Sequence, residues 1–294
     1  MDAPKCPLCG SRDNQKQFAE RGHDLCRCAA CDLFFIDPYP TDMDDRHDRV
    51  KEYRYEDLEV IDTDKQYRGE VQFYERYFGR IGEECRGAAS VLDVGCGTGR
   101  LLELIGRDPN VRREGIELNT ARAEAARRRT GCTIHQVPVE EFAADRRFDV
   151  ITMINVLSHI PSFDSLFRGV RNLLTDRGKF IIKVGEVAPD VQKGDLHDWE
   201  LGDHLHFLGL RTIDVAAKKF GFTVARHDRV PISEDLFSRT RWKMPGRSGL
   251  RDAIKSVVVV IPLALPLLRR VYEWRHGRRI YSSLIVLTPS PGQA

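Results

Sequence analysis

The stretch VLDVGCGTGR, Val91 to Arg100, constrains the fold more than any other part of this 294-residue chain. Val91-Leu92-Asp93-Val94 has the length and apolar character of a short buried strand. Gly95, Gly97 and Gly99 follow, and Arg100 to Ile105 then carries apolar residues at helical spacing. This is strand, glycine turn and helix in order, for which a dinucleotide-binding α/β fold is one reading, although the spacing is G-x-G-x-G and not G-x-G-x-x-G. Glycine lets the chain turn tightly and lets a ligand touch bare backbone. A second predicted strand, Arg113 to Glu117, ends in an acid eighteen residues after Gly99. A carboxylate there suits the two hydroxyls of a ribose.

Asp93 discriminates between ligands. A carboxylate just under the loop repels a pyrophosphate and suits a ligand with a positive amino group and no phosphate. S-adenosylmethionine (SAM) is such a ligand. VLDVGCGTGR followed by GIELN resembles the first two motifs of the class I SAM-dependent methyltransferases. FDVITMINVLSHI (Phe148 to Ile160) is similar to the family's fourth-strand segment, with Ser158 in place of its usual acid and His159 keeping the match. LLTDRGKFIIKVGE (Leu173 to Glu186) looks like its fifth strand. The resemblance covers about residues 70 to 230 and implies a Rossmann-like sheet. It also implies cofactor contacts: Asp93 and Gly95 near the amino-acid end, Gly97 lining the loop, Glu117 on the ribose and Leu118 on adenine. Val139 and Glu140 would stand on the adenine side, with Pro138 where the family has an acid, and Asn155 would face the methyl group.

Five of the eight cysteines fall within the first 31 residues. Cys6 with Cys9 and Cys28 with Cys31 form two C-x2-C knuckles with eighteen residues between them, inside the range for a four-cysteine zinc site. Such a site is closed and structural, and zinc stabilises such modules by roughly 10–16 kcal/mol. Cys26 and His23 are competing ligands, and reduced unpaired thiols are the alternative. Cys85, Cys96 and Cys132 read as small apolar fillers. The N-terminus lacks the pattern of a signal peptide, which predicts a cytoplasmic protein with reduced thiols.

The cysteine cluster running into CDLFFIDPYP (Cys31 to Pro40), with Tyr53 and Tyr55 beyond, resembles a narrower group: bacterial methyltransferases with an N-terminal zinc module, among them sugar C-methyltransferases. GDHLHFLGLRTIDVAAKKFGF (Gly202 to Phe222) is similar to their segment after strand five, where a Glu-His pair stands. Asp203-His204 occupies that pair, and Leu201-Gly202 replaces the Tyr-His that precedes it in the sugar enzymes. Methyl transfer needs an aligned nucleophile and a proton acceptor, and a histidine near neutral pKa suits the second role. His204 is the expected base and Asp203 its helper, with His159 and then His206 as alternatives.

The chain therefore divides into a zinc-binding module (1–40), a helical lid or linker (41–85), a SAM-binding core (86–230), an insertion (231–280) and a last strand and tail (281–294). Phe73, Tyr77 and Phe78 are expected to point from the linker helix into a core. The insertion holds VVVVIPLALPLL (Val257 to Leu268) between basic flanks: Arg247, Arg251 and Lys255 before it, Arg269 and Arg270 after it. Twelve helical residues reach about 18 Å, short of a bilayer core of about 30 Å. Pro262 and Pro266 are expected to break the run further. It lies on a membrane or holds a lipid-like acceptor, or it forms a core element or dimer contact. With 46 basic and 44 acidic residues, no global field recruits nucleic acid. The expected acceptor is a small molecule, a sugar nucleotide or natural-product intermediate. An rRNA methyltransferase with a zinc module and an inactive SAM-binding scaffold are the alternative readings.

Overall fold

A computed structural model describes residues 3–40, 79–196, 201–238, 242 and 257–292. Tyr53, Tyr55, Phe73, Tyr77, Phe78, Arg247, Arg251 and Lys255 lie outside the described residues, as does most of the expected lid. The chain starts with an antiparallel ribbon, β1 (Asn14–Glu20), β2 (His23–Cys28) and β3 (Phe34–Asp37). A βαβ unit follows: β4 (Ser90–Val94), α1 (Arg100–Ile105) and β5 (Arg112–Ile116). Then come α2 (Thr120–Thr130), β6 (Thr133–His135), β7 (Phe148–Ile154), α3 (Phe163–Leu173) and β8 (Leu174–Val187). The chain continues through β9 (His206–Gly209), α4 (Thr212–Lys219), β10 (Phe222–Pro231), α5 (Ile232–Leu236), α6 (Ala264–His276) and β11 (Ile280–Pro289).

β4 lies between β5 and β7, parallel to both, with β6 beyond β5 and β8 beyond β7. β11 runs antiparallel to β8 and to β10, and so closes the far side of the sheet. The chain leaves β4 toward β5 and later returns on its other side as β7. That reversal opens a crevice at the carboxyl ends of β4 and β7, where α/β sheets bind ligands. Strands buried on both faces are mainly apolar, and β4 (SVLDV) is buried along its whole length, with Asp93 its one charged residue. Helix α3 shows why a helix covers one face: Phe163, Leu166, Phe167, Val170 and Leu173 recur at helical spacing and all are buried. Each contributes about 1.5–3 kcal/mol of apolar burial. Ser162 starts this helix, its side chain accepting from the Ser165 N–H.

The ribbon joins the main sheet. β3 pairs antiparallel with β9 (Phe34 with Phe207, Phe35 with His206), and β9 pairs parallel with the end of β8 (Glu186 with Leu208, Val187 with Gly209). Cys6, Leu8, Leu33 and Phe35 share one apolar core with Phe163, Phe167, Leu208 and Ile213. Gly209 makes the contact close: a Cβ there would lie 1.9 Å from the Asp32 carbonyl oxygen.

The run from Val257 to Leu268 departs from expectation at Pro266. This proline sits in the first turn of α6, where the missing N–H has no intrahelical partner to lose, so the helix continues through it. The interruption falls at Ile261 to Leu263, around Pro262. No helix among the described residues is long and apolar enough to cross a membrane.

Candidate active site

The glycine loop leaves β4 with all three glycines in the left-handed region, φ 71° at Gly95, 54° at Gly97 and 83° at Gly99. Two of them are fixed by close packing as well. A Cβ on Gly95 would lie 2.2 Å from Val156 Cγ2, and one on Gly99 would lie 3.1 Å from Ala126 Cα. A Cβ on Gly97 would meet nothing within 4 Å. Gly97 therefore borders open space on the side from which a ligand approaches bare backbone.

Glu117 ends β5 and ties the loop down. Its two carboxylate oxygens accept from the Gly97 N–H and the Asn119 N–H, each at 2.9 Å. Burial raises its pKa against those hydrogen bonds. Leu118 follows in the same turn. Asp93 is buried below the loop, and the Thr152 hydroxyl donates to its Oδ1 at 2.7 Å. Burial pushes the Asp93 carboxyl up to about 7, the Thr152 bond opposes this, and the Glu117 charge adds to it. A buried carboxylate in that condition is stabilised by an incoming cation. The amino cation of SAM meets that need, and Glu117 suits its ribose, so the residues present fit the cofactor.

Val139 buries its side chain in the core, and the Val139–Glu140 backbone packs against Gly169 of α3. Asn155 stands at the end of β7 with φ 55°. Its Oδ1 accepts from Lys183 Nζ at 2.8 Å, and its N–H donates to the Lys183 carbonyl at 2.9 Å. Neither Lys183 nor Thr152 was singled out from sequence. The available signal was a polar residue within otherwise apolar strands, KFIIKVGE and VITMI.

The structure brings His159, Asp203 and His204 together, with one side-chain ligand atom of each within 4.8 Å of the others. The cause is backbone pairing: the Leu205 N–H donates to the Ser158 carbonyl at 2.8 Å, across 47 residues of sequence. The two imidazoles lie 4.5 Å apart between centroids, and the Phe207 ring stacks on His204 at 5.7 Å. His159 Nδ1 donates to the Asp203 carbonyl at 3.0 Å. That bond places the ring proton on Nδ1 and makes Nε2 the basic nitrogen. The Asp203 backbone carbonyl thus orients His159. The Asp203 carboxylate lies 3.8 Å from the Nδ1 of both His159 and His204, at ion-pair distance from each ring. His206 is buried against Phe163 and the Tyr39 hydroxyl, which is 3.1 Å from its Nδ1, so it belongs to the ribbon seam.

The structure also gathers the thiols of Cys6, Cys9, Cys28 and Cys31. Cys6 and Cys31 have Sγ atoms 3.5 Å apart, as do Cys9 and Cys28. A tetrahedron with Zn–S bonds near 2.3 Å has S···S edges of about 3.8 Å, so the spacing fits zinc. The hydrogen bond with Cys31 pulls the Cys6 thiol down to about 5, while the same bond and burial push Cys31 up. Burial likewise pushes Cys28 up to about 11. Four thiolates cannot share this volume without a cation. Cys26 lies outside the cluster, opposite Phe35, and His23 lies against Gly202.

A doubly wound sheet, a glycine loop over a buried acid and an acid closing β5 define the class I, SAM-dependent methyltransferases. The chain belongs to the methyltransferase-domain family, whose profile matches residues 64–227, more than half of its length. It is 36% identical over 99 residues to the ubiquinone biosynthesis O-methyltransferase of Histophilus somni, covering 30% of this chain and 41% of that protein. The chain thus spans about two-fifths of the curated relatives it matches. Among solved structures it is similar to coclaurine N-methyltransferase bound to N-methylheliamine and S-adenosylhomocysteine (SAH), with TM-score 0.57, 14% identity and coverage of 85% of this chain and 83% of that one. It is also similar to the O-methyltransferase of a trans-AT PKS multienzyme of Brevibacillus brevis in complex with SAH, with TM-score 0.52, 16% identity and coverage of 82% and 81%. These likenesses concern the fold.

Proposed function

We propose that the chain transfers a methyl group from SAM to a small-molecule acceptor, with a hydroxyl oxygen as the methylated atom. Sugar-linked and natural-product intermediates are the acceptor class. The observation that carries this reading is the His159–Asp203–His204 cluster at the carboxyl edge of the sheet, its His159 four residues beyond Asn155. SAM, when bound, supplies an electrophilic methyl on a sulfonium. Gly97 and Glu117 would hold it on the ribose side, and Asp93 would answer its amino cation. Asn155, fixed by Lys183, borders the transfer edge. The imidazole pair takes the acceptor's proton: the Asp203 carbonyl fixes the tautomer of His159, and His204 stacks between His159 and Phe207. Oxygen is favoured because the curated relatives bear the name O-methyltransferase.

The reading includes a structural zinc on Cys6, Cys9, Cys28 and Cys31, with residues 1–40 as its module and 86–230 as the cofactor core. It also includes a reducing, cytoplasmic setting, which the eight free cysteines support.

The test uses methyl-labelled SAM, extract fractionated by size, nuclease sensitivity and organic extraction, and the variants His159→Ala and His204→Ala. Label is expected in a nuclease-resistant small-molecule fraction. Each variant is expected to lower turnover by about 10²–10⁴-fold with SAH affinity unchanged. Nuclease-sensitive label, or full turnover in both variants, overturns the reading.

A further inference from the structure

The segment from Val257 to His276 presents an apolar face that the other described residues do not cover. Val257, Val260, Ile261, Leu263, Leu267, Leu268, Val271 and Trp274 are all exposed, Val260 and Leu263 by about three quarters and Trp274 by 87%. Within α6, Leu267, Val271 and Trp274 recur at i, i+4 and i+7 and so share one side of the helix. Arg270 and Arg275 flank that stripe and are exposed too. The opposite side is pinned to the protein. Leu265 is buried, the Tyr272 ring lies 5.5 Å from the Phe237 ring, and Glu273 accepts from the Ser233 hydroxyl at 2.6 Å. Arg269 reaches Glu234 at 3.6 Å and Glu273 at 3.3 Å. The helix is therefore held by its polar side and turns its apolar side outward, the reverse of a helix that covers a core.

Charge identifies the occupant. Residues 243–279 hold nine basic residues against two acidic ones, whereas the remainder of the chain holds 37 against 42. In its sequence, a nearly neutral protein thus gathers positive charge around the exposed apolar stripe of α6, and among the described residues Arg270 and Arg275 carry it to the surface beside that stripe. A second copy docking on this face by two-fold symmetry would set Arg270 and Arg275 against their own copies. An anionic bilayer surface answers both features, because arginines meet phosphate headgroups while leucine, valine and tryptophan enter the interface. The position agrees as well. Gly277 follows α6, and Ile280 at the start of β11 pairs with Val187 at the end of β8, the carboxyl edge where the loop and the histidine pair stand.

We propose that the outer face of residues 257–276 docks on an anionic lipid surface and brings the transfer edge of the sheet to that surface. The inference rests on this surface and stands apart from the identity of the acceptor.

The probes are vesicles of equal parts phosphatidylcholine and phosphatidylglycerol, and vesicles of phosphatidylcholine alone. The full chain is expected to co-sediment with the mixed vesicles and much less with the neutral ones, and added salt is expected to weaken the binding. The triple variant Leu267→Ser, Val271→Ser, Trp274→Ser is expected to lose at least about tenfold in vesicle affinity. Arg270→Glu with Arg275→Glu is expected to lose the preference for the anionic vesicles. Unchanged SAH affinity in both variants shows that the fold is intact. Equal binding to both vesicle types, or no binding by a chain that sediments as a dimer and becomes a monomer in the triple variant, overturns the proposal.

Discussion

Asp93→Asn tests the electrostatics of the cofactor loop without changing its shape, because asparagine can still accept the Thr152 hydroxyl that now donates to Asp93. The Asp93 carboxyl stands at about 7 in the folded chain against an ordinary 3.8, burial being the main cause. Below about pH 4 both folded and unfolded chains hold this proton, and the group leaves stability unchanged. Between about pH 4 and 7 the folded chain keeps a proton that the unfolded chain releases, so stability falls as pH rises. Above pH 7 the loss is complete. Roughly three pKa units at 1.36 kcal/mol each make it about 4 kcal/mol. The ligand-free Asp93→Asn variant should therefore be more stable than the natural chain by about 4 kcal/mol at pH 8 and by about 1.5 kcal/mol at pH 5. Urea unfolding of both proteins at both pH values measures this. The same variant should lose SAH binding, since the amino cation of SAH loses its counter-charge. In the natural chain SAH affinity should climb with pH up to about 7, because binding favours the ionised carboxylate. A variant no more stable than the natural chain at pH 8, or an SAH affinity flat from pH 5.5 to 8, would refute the account.

Two further perturbations address the supports of the site. Cys28→Ser should lose the one zinc ion per chain expected on the thiol cluster, a change read by colorimetric metal release after thiol modification, and should lower the melting temperature; a chain with no bound zinc and an unaltered variant would remove the metal from the account. Glu186 is fully buried and receives hydrogen bonds from His227 Nε2 at 2.9 Å, Arg229 Nε at 2.7 Å and the Ser283 hydroxyl. Burial alone would raise its pKa, yet these partners together hold it below the usual range, so it stays ionised. Glu186→Ala leaves the Arg229 charge without its partner and should cost about 3–5 kcal/mol by urea unfolding, whereas a cost below about 1 kcal/mol would show that water replaces the carboxylate.

The parts of the molecule legible in sequence are those encoded locally. β4, its glycine turn and β5 could be read because a strand, three glycines and an acid fall within 27 residues, each with its own steric or electrostatic reason. The thiol cluster could be read from knuckle spacing. The seam between ribbon and sheet could not, because β3 and β9 touch through two residue pairs about 170 positions apart, and FFID and HFLG carry no mark of that partnership. Asp203 shows a subtler limit. Its position beside His204 is legible, but the hydrogen bond from the His159 ring to its backbone carbonyl is not, because the bend of the chain sets that contact. The exposed side of α6 was hidden for a related reason. Composition shows that a run is apolar, while only the pinning of Tyr272 and Glu273 shows which way it faces.

That seam gives the cysteine module a consequence for chemistry. The second knuckle leads directly into the sheet: the Thr212 hydroxyl donates to the Cys31 carbonyl at 3.0 Å and accepts from the Gly209 N–H at 2.9 Å. Asp32, with φ 67° and buried, is held by Arg27 at 2.6 Å and stands against Gly209. Gly209 ends β9, which begins at His206, two residues after His204. An ion holding Cys28 and Cys31 would therefore fix the backbone that carries one imidazole of the pair, and the Leu205–Ser158 bond would pass that constraint to the other. Proton transfer tolerates little slack in donor–acceptor distance. Loosening the knuckle without unfolding the sheet should thus lower turnover while the loop under Asp93 and Glu117, on the other side of β7, still takes up SAH.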